Sequence, residues 1–194
     1  PEGLTLTYAW DIDGDGIFTD AAGSTATLTW NQLNALPVPV NDNGVRSVTL
    51  RVTDAGGNST DASTTLTITN TAPTVTVTGN TTTSSGTPYT ISLASSDPGA
   101  DTITSYTINW GDGVTETVAG TDTSATHTYL TAGGIRSITV TATDEDGTFP
   151  MTGGPLVVTV NNTTPSAPTL SNTRVASFQN GATVGTLSFT DPDF

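Results

Sequence analysis

Tyr8-Ala9-Trp10-Asp11-Ile12-Asp13-Gly14-Asp15-Gly16 starts as a strand and ends as an acidic turn. Leu4, Leu6, Tyr8 and Trp10 alternate with Thr5, Thr7 and Ala9, the period of two that sends one set of side chains to a core and the other to water. Aspartate then occupies every second position, with Gly14 and Gly16 among them, a composition that stops a strand and gathers oxygen atoms. The element returns in shorter form as Tyr106-Thr107-Ile108-Asn109-Trp110-Gly111-Asp112-Gly113. Behind each copy lies a second matched segment, Gly44-Val45-Arg46-Ser47-Val48-Thr49-Leu50-Arg51-Val52-Thr53-Asp54 and Gly134-Ile135-Arg136-Ser137-Ile138-Thr139-Val140-Thr141-Ala142-Thr143-Asp144. Internal repetition of this kind points to an array of like units.

These residues resemble the PKD (polycystic kidney disease) domains, whose pattern is an aromatic strand ending in W-x-x-G-D-G, then H-x-Y, then a glycine leading into a V-x-L-x-V-x-D strand. The second copy carries nearly all of it in Trp110-Gly111-Asp112-Gly113, His127-Thr128-Tyr129 and Gly134 to Asp144. The first copy matches the aspartate turn and the Gly44 to Asp54 strand but has Val38-Pro39-Val40 and a longer insert in place of H-x-Y. The resemblance implies an all-β fold of tandem immunoglobulin-like antiparallel β-sandwiches joined by short linkers.

Composition narrows the function classes. Hydrophobic residues make up 34% of the 194, low for one thick core, and the abundance of threonine suits half-exposed strands. With 18 acidic residues, 4 arginines and no lysine the net charge is -14, so phosphate backbones and anionic membranes are repelled and nucleic acid is excluded as a partner. Without lysine there are no lysine-asparagine isopeptide staples. Without cysteine there are neither disulfides nor thiolate zinc sites. No stretch is apolar and long enough to span a bilayer as a helix.

Along the chain, Leu4 to Trp10 reads as a strand, Asp11 to Ala22 as a loop and Thr25 to Trp30 as a strand. Leu33 and Leu36 follow Trp30 at spacings of three, which predicts a single helical turn. Val45 to Thr53 and Thr64 to Thr69 complete the first unit, with a turn at Asp54 to Asn58 between them. Asn70-Thr71-Ala72-Pro73 is a linker, since proline ends a ladder and extends the residue before it. The second unit continues through Val75 and Val77, Ile91 and Leu93, Tyr106 to Trp110, Val114 to Val118, Ile135 to Thr143 and Leu156 to Val160. Asn162-Thr163-Thr164-Pro165 repeats the linker chemistry. The expected units are residues 1–72, 73–164 and 165–194.

Asp97 precedes Trp110 by 13 positions, within Ser96-Asp97-Pro98. If Phe194 were joined to Pro1, Asp191 of Thr190-Asp191-Pro192 would precede Trp10 by the same 13. The expectation is one period of a longer tandem array, in which residues 165–194 are the first strands of a further sandwich. The alternatives are a fragment with two unrelated incomplete ends, or a cadherin-like third domain, suggested by Val184-Gly185-Thr186-Leu187 and Asp191-Pro192-Asp193.

Asp11, Asp13, Asp15 and Asp20 form the candidate metal site. Carboxylates this close repel one another unless protonated or neutralised by a cation, and calcium takes oxygens from loops of this kind. The spacing matches the first half of an EF-hand loop, but the twelfth position falls on Ala22 and the ninth on Thr19, so the bidentate glutamate is missing. The competing reading is a solvated turn whose aspartates bond only backbone N–H groups. Asp112 reads as a turn-forming side chain flanked by glycines of positive φ, Asp144-Glu145-Asp146-Gly147 as a charged hairpin, with metal binding at a domain junction as its alternative, and Asp191 and Asp193 with Glu2 as a weaker calcium candidate. His127, the single histidine, has no cysteine or lysine to join it, and no catalytic function is expected. Trp10 and Trp110 read as core residues. Trp30 lies outside the shared pattern; core filling is the favoured reading, and exposure would instead make it the one aromatic available to a ligand.

The resemblance implies extracellular spacing and contact, and the expected function is the stalk or filament shaft of a giant secreted or surface-anchored bacterial adhesin, stiffened where Ca2+ fills the aspartate turn. Its partners would be neighbouring repeats of the same chain and laterally associated copies. The alternative is a carbohydrate- or protein-binding accessory module of a secreted hydrolase.

Overall fold

Strand β8 (Ser105–Asn109) carries Tyr106 and Ile108 on one face, pairs on one side with β11 (Gly134–Thr143) and on the other with β9 (Thr115–Ala119). The computed structural model describes residues 5–131, 133–172, 185–188 and 190. The chain divides into two compact units, Pro1–Ala72 with Asp97–Thr102, and Pro73–Ser96 with Ile103–Phe194.

In the second unit, β5 (Thr74–Gly79), β7 (Pro88–Ser96) and β10 (Ser124–Thr128) form one antiparallel sheet in the order β10-β7-β5. The other sheet adds β6 (Thr82–Ser84), β12 (Thr148–Pro150) and β13 (Leu156–Asn161) to β8, β9 and β11. Alternate residues of both sheets meet in one core. Val75, Tyr89, Ile91, Leu93 and Ala125 face Tyr106, Ile108, Ile138, Val140, Val158 and Val160, all buried. The inward polar tips are satisfied: Tyr89 donates to the Asn80 carbonyl at 2.7 Å and Tyr106 to Ser95 Oγ at 2.6 Å. Two sheets closed on such a core make a β-sandwich, antiparallel as expected except where the short edge strand β6 pairs parallel with β13.

The first unit holds a single sheet among the described residues, in the order β2-β1-β3-β4, from β1 (Thr7–Asp11), β2 (Ala21–Ala22), β3 (Gly44–Thr53) and β4 (Ser59–Ile68). Pairing of Tyr8 with Val52 and Trp10 with Leu50 puts the apolar residues on one face, as the alternation predicts. That face is only half-buried. Trp10, Ile12, Val48 and Leu66 line an open groove of about 340 Å³ with Ala26, Leu28 and Leu33 of the insert.

Thr25 to Trp30 is not a strand. The helical turn α1 (Trp30–Asn34) starts there, because Thr29 and Gln32 form a capping box: Thr29 N–H donates to Gln32 Oε1 at 2.9 Å while Thr29 Oγ1 accepts from the Gln32 N–H. Thr29-Trp30-Asn31-Gln32 spells that signature, which overrides the β-propensity of threonine.

The two tryptophans occupy different places. Leu50 and Val140 correspond in the repeated segment, yet Leu50 pairs with Trp10 and Val140 with Ile108. Trp10 therefore sits where Ile108 does, and Ile12, 6% exposed, takes the place of the fully buried Trp110.

After the second linker, β14 (Thr169–Asn172) pairs antiparallel with β15 (Gly185–Ser188). Leu4, Glu2, Val184, Asp191 and Asp193 lie outside the described residues.

Candidate functional site

The turn after β1 folds its aspartates onto its own backbone. Asp11 Oδ1 accepts from Gly14 N–H at 2.7 Å and Oδ2 from Gly16 N–H at 3.1 Å. Asp13 Oδ1 accepts from Asp15 N–H at 3.1 Å and Oδ2 from Val38 N–H, 25 residues away, at 3.0 Å. Asp20 reaches the turn because its N–H pairs with the Trp10 carbonyl, and its Oδ2 accepts from Ile12 and Asp13 N–H at 2.6 and 3.2 Å. Carboxylate oxygens of Asp11, Asp13 and Asp20 lie within 4.8 Å of one another, and the first two residues are buried. Asp15 does not join them; its Oδ1 accepts from Ile17 N–H at 2.7 Å.

A carboxylate has about four lone-pair sites, so these N–H bonds leave acceptor capacity for a cation. Three carboxylates fall short of the six to eight oxygens calcium takes, and carbonyls or water would complete the shell. The donor set is therefore compatible with calcium without requiring it.

In the second unit the motif residues form one cluster. Trp110 is fully buried, its indole N–H donating to Glu116 Oε2 at 3.1 Å. The His127 ring stacks on it at 5.0 Å and meets the Tyr129 ring edge-on at 4.7 Å. His127 Nε2 lies 2.7 Å from Asp112 Oδ2; an ionised carboxylate only accepts, so Nε2 carries the proton. Tyr129 O–H donates to the Trp110 carbonyl at 3.0 Å. His127 belongs to β10 of one sheet and Asp112 to the turn after β8 of the other, so these contacts latch the sandwich shut. Asp112 is thus more than a turn former, although its Oδ1 does accept from Val114 N–H and its neighbours Gly111 and Gly113 do have φ of 78° and 97°. The Asp144 to Gly147 segment is a hairpin between β11 and β12, with Asp144 Oδ1 accepting from Asp146 and Gly147 N–H.

Burial pushes the Asp112 carboxyl up, but the His127 hydrogen bond, the Val114 N–H and the His127 charge outweigh it and hold the group below the usual aspartate range. Burial, reinforced by the Asp112 charge, pushes the Tyr129 phenol up to about 12. A depressed carboxylate stabilises the fold above its unfolded pKa and loses that contribution as pH falls through the folded value. A raised phenol contributes fully below about pH 10, its unfolded value, and loses its contribution as pH rises toward 12. The urea midpoint of the second unit is therefore expected to fall at both extremes, Asp112→Asn flattening the acid limb and Tyr129→Phe the alkaline one. Unchanged limbs in both variants would refute the latch.

Trp30 does not fill the core as expected: it opens α1, outside the sheet, and is 48% exposed.

Two sheets closed on one core, with the indole, imidazole and phenol latched across them, define an immunoglobulin-like sandwich. Residues 70–153, most of them in the second unit, match the family model of the PKD domain. Among solved structures, the fibronectin(III)-like modules of CbhA from Clostridium thermocellum match at 13% identity and a TM-score of 0.39, over 83% of this chain and 80% of that one. SGBP-B of the Bacteroides ovatus mixed-linkage glucan utilization locus, solved with a mixed-linkage heptasaccharide, matches at 15% identity and a TM-score of 0.22. That match covers 98% of this chain and 52% of the other, so the chain spans about half its length. No curated protein matches the sequence.

Proposed function

We propose that this chain is a non-catalytic spacer segment of a large extracellular protein, in which sandwiches of this kind follow one another as a stalk or filament shaft carrying an adhesive tip away from a bacterial surface. The observation that carries the reading is the β14–β15 pair. Strand β14 begins at the threonine of Ala167-Pro168-Thr169 as β5 begins at that of Ala72-Pro73-Thr74, and each pairs antiparallel with a strand that precedes an Asp-Pro dipeptide. The second linker is also fastened to its sandwich. Thr163 N–H and Oγ1 bond Ser85 Oγ and the Ser85 carbonyl, at 3.2 and 2.7 Å, which fixes the direction in which the chain leaves. PKD domains typically occur in extracellular proteins, and no helix among the described residues is long and apolar enough to cross a membrane.

On this reading neighbouring repeats are the partners, and the half-buried face of the first sheet receives a hairpin of the β14–β15 kind. Calcium at Asp11, Asp13 and Asp20 stiffens the turn by cancelling the repulsion among buried carboxylates, and copies associate laterally through the exposed faces.

A polypeptide with residues 73–194 placed ahead of 1–72 tests this, compared with the natural order by calorimetry and solution scattering, with calcium and with chelator. The rearranged order is expected to raise the midpoint of the first unit by several degrees and to give an elongated particle. Equal midpoints in the two orders would overturn the array. A calcium response in both orders supports the metal site, because a ligand bound by the folded state alone stabilises it by mass action; its absence in both removes calcium and leaves the spacer reading intact.

A further inference from the structure

Trp30 opens the helical turn α1, and its exposed indole forms one wall of a cavity of about 350 Å³ within the first unit. Asn41, Asp42, Asn43, Asn70 and Asp101 supply polar groups to its lining. The volume falls at the small end of the range of about 300–1,000 Å³ that small-ligand pockets occupy.

We propose that this cavity binds a neutral saccharide. A pyranose has a flat face of C–H groups, which packs on an indole, and a rim of hydroxyls that each donate and accept. The lining answers both halves. The indole offers a broad apolar face, the amides offer donors and acceptors together, and the carboxylates accept from hydroxyl pairs. Asn70 Oδ1 is buried without a partner, so rotation of that amide toward a ligand gains a bond the unliganded protein lacks.

Charge sets the class of sugar. Two carboxylates in the lining and a net charge of -14 repel uronates, phosphates and sulfated glycans, leaving uncharged chains. A bare cation would use the carboxylates but leave the indole face idle. The platform is also held in place beforehand. The Thr29–Gln32 capping box fixes the first turn of α1, and Asn41 Nδ2 donates to Asn34 Oδ1 at 2.6 Å, joining the end of that turn to the cavity wall. The site stands independently of the spacer reading.

The test is titration of the intact chain with cellohexaose, xylohexaose, mannohexaose and chitohexaose, read by calorimetry and tryptophan fluorescence, with polygalacturonate as the anionic comparison. At least one neutral series is expected to bind with Kd of about 1 mM or tighter. Trp30→Ala is expected to weaken that binding at least tenfold, and Trp30→Phe, which keeps a stacking face, to weaken it less. Because Trp30 is exposed, both variants should keep the parent melting temperature, which separates lost binding from lost folding. No response to any of the four sugars, equal affinity in Trp30→Ala, or preference for polygalacturonate would overturn the proposal.

Discussion

Trp110→Ala is expected to destabilise the second unit by about 3–5 kcal/mol, the range for removing a fully buried large aromatic side chain. For a unit of this size that is a fall in melting temperature of roughly 15–30 °C. Three losses combine. The core forfeits the transfer free energy of the indole and is left with a cavity, Glu116 Oε2 loses its donor, and the His127 ring loses the surface on which it stacks. Trp110→Phe keeps part of the volume and should cost distinctly less. Differential scanning calorimetry of both variants decides the matter, and a shift of only a few degrees in Trp110→Ala would mean that the sheets close without the indole. Trp10→Ala is the informative contrast, since Trp10 takes the sheet position of Ile108, is only half-buried and bonds the Gly23 carbonyl through its indole N–H. The smaller effect expected there separates a residue that closes a sandwich from one that resembles it in sequence.

Why part of this was legible follows from which interactions run along the chain. In β11 the pattern of Ile138, Val140 and Ala142 inward against Thr139 and Thr141 is a property of one strand, and so is visible in its residues. The short strands β6, β10 and β12 contain mostly threonine, serine and proline; their pairing rests on backbone groups offered by neighbours, which no local pattern announces. The same distinction governs the sites. Asp11 and Asp13 were visible as a spaced pair, and Asp20 joins them through the β1–β2 pairing. Asp15 shares their spacing but turns to cap Ile17. The contact of His127 with Asp112 spans 15 residues and two sheets, so the motif named both residues without revealing the bond between them. Exposure of Trp30 depends on what fails to cover it, which alternation cannot report.

Gly120→Ala is the second large effect, and the sequence gives no warning of it. Gly120 follows β9 in a turn where Asp122 N–H bonds the Ala119 carbonyl and Asp122 Oδ2 accepts from the Ala119 N–H. Its own N–H donates to the Thr104 carbonyl at 2.9 Å, which draws the turn against the strand entering β8. A β-carbon built on Gly120 overlaps the Ile103 carbonyl group and approaches the Thr104 carbonyl carbon to 2.9 Å. These are backbone atoms, so no side-chain rotation relieves the overlap. Relief requires moving the turn off residues 103–104, with loss of the Gly120 hydrogen bond and disturbance of the Thr104 N–H bond to the Thr143 carbonyl. The expected cost is at least about 3 kcal/mol, the upper part of the range for overpacking. Gly154→Ala supplies the control. Its φ is 90° and nothing lies within 4 Å of the added carbon, so only backbone strain of about 1–2 kcal/mol applies. Urea unfolding of the two variants side by side should rank Gly120→Ala well below Gly154→Ala in stability. The reverse order would mean that the turn after β9 yields freely, and that close backbone approach at the entry to β8 is not what holds this edge of the sandwich.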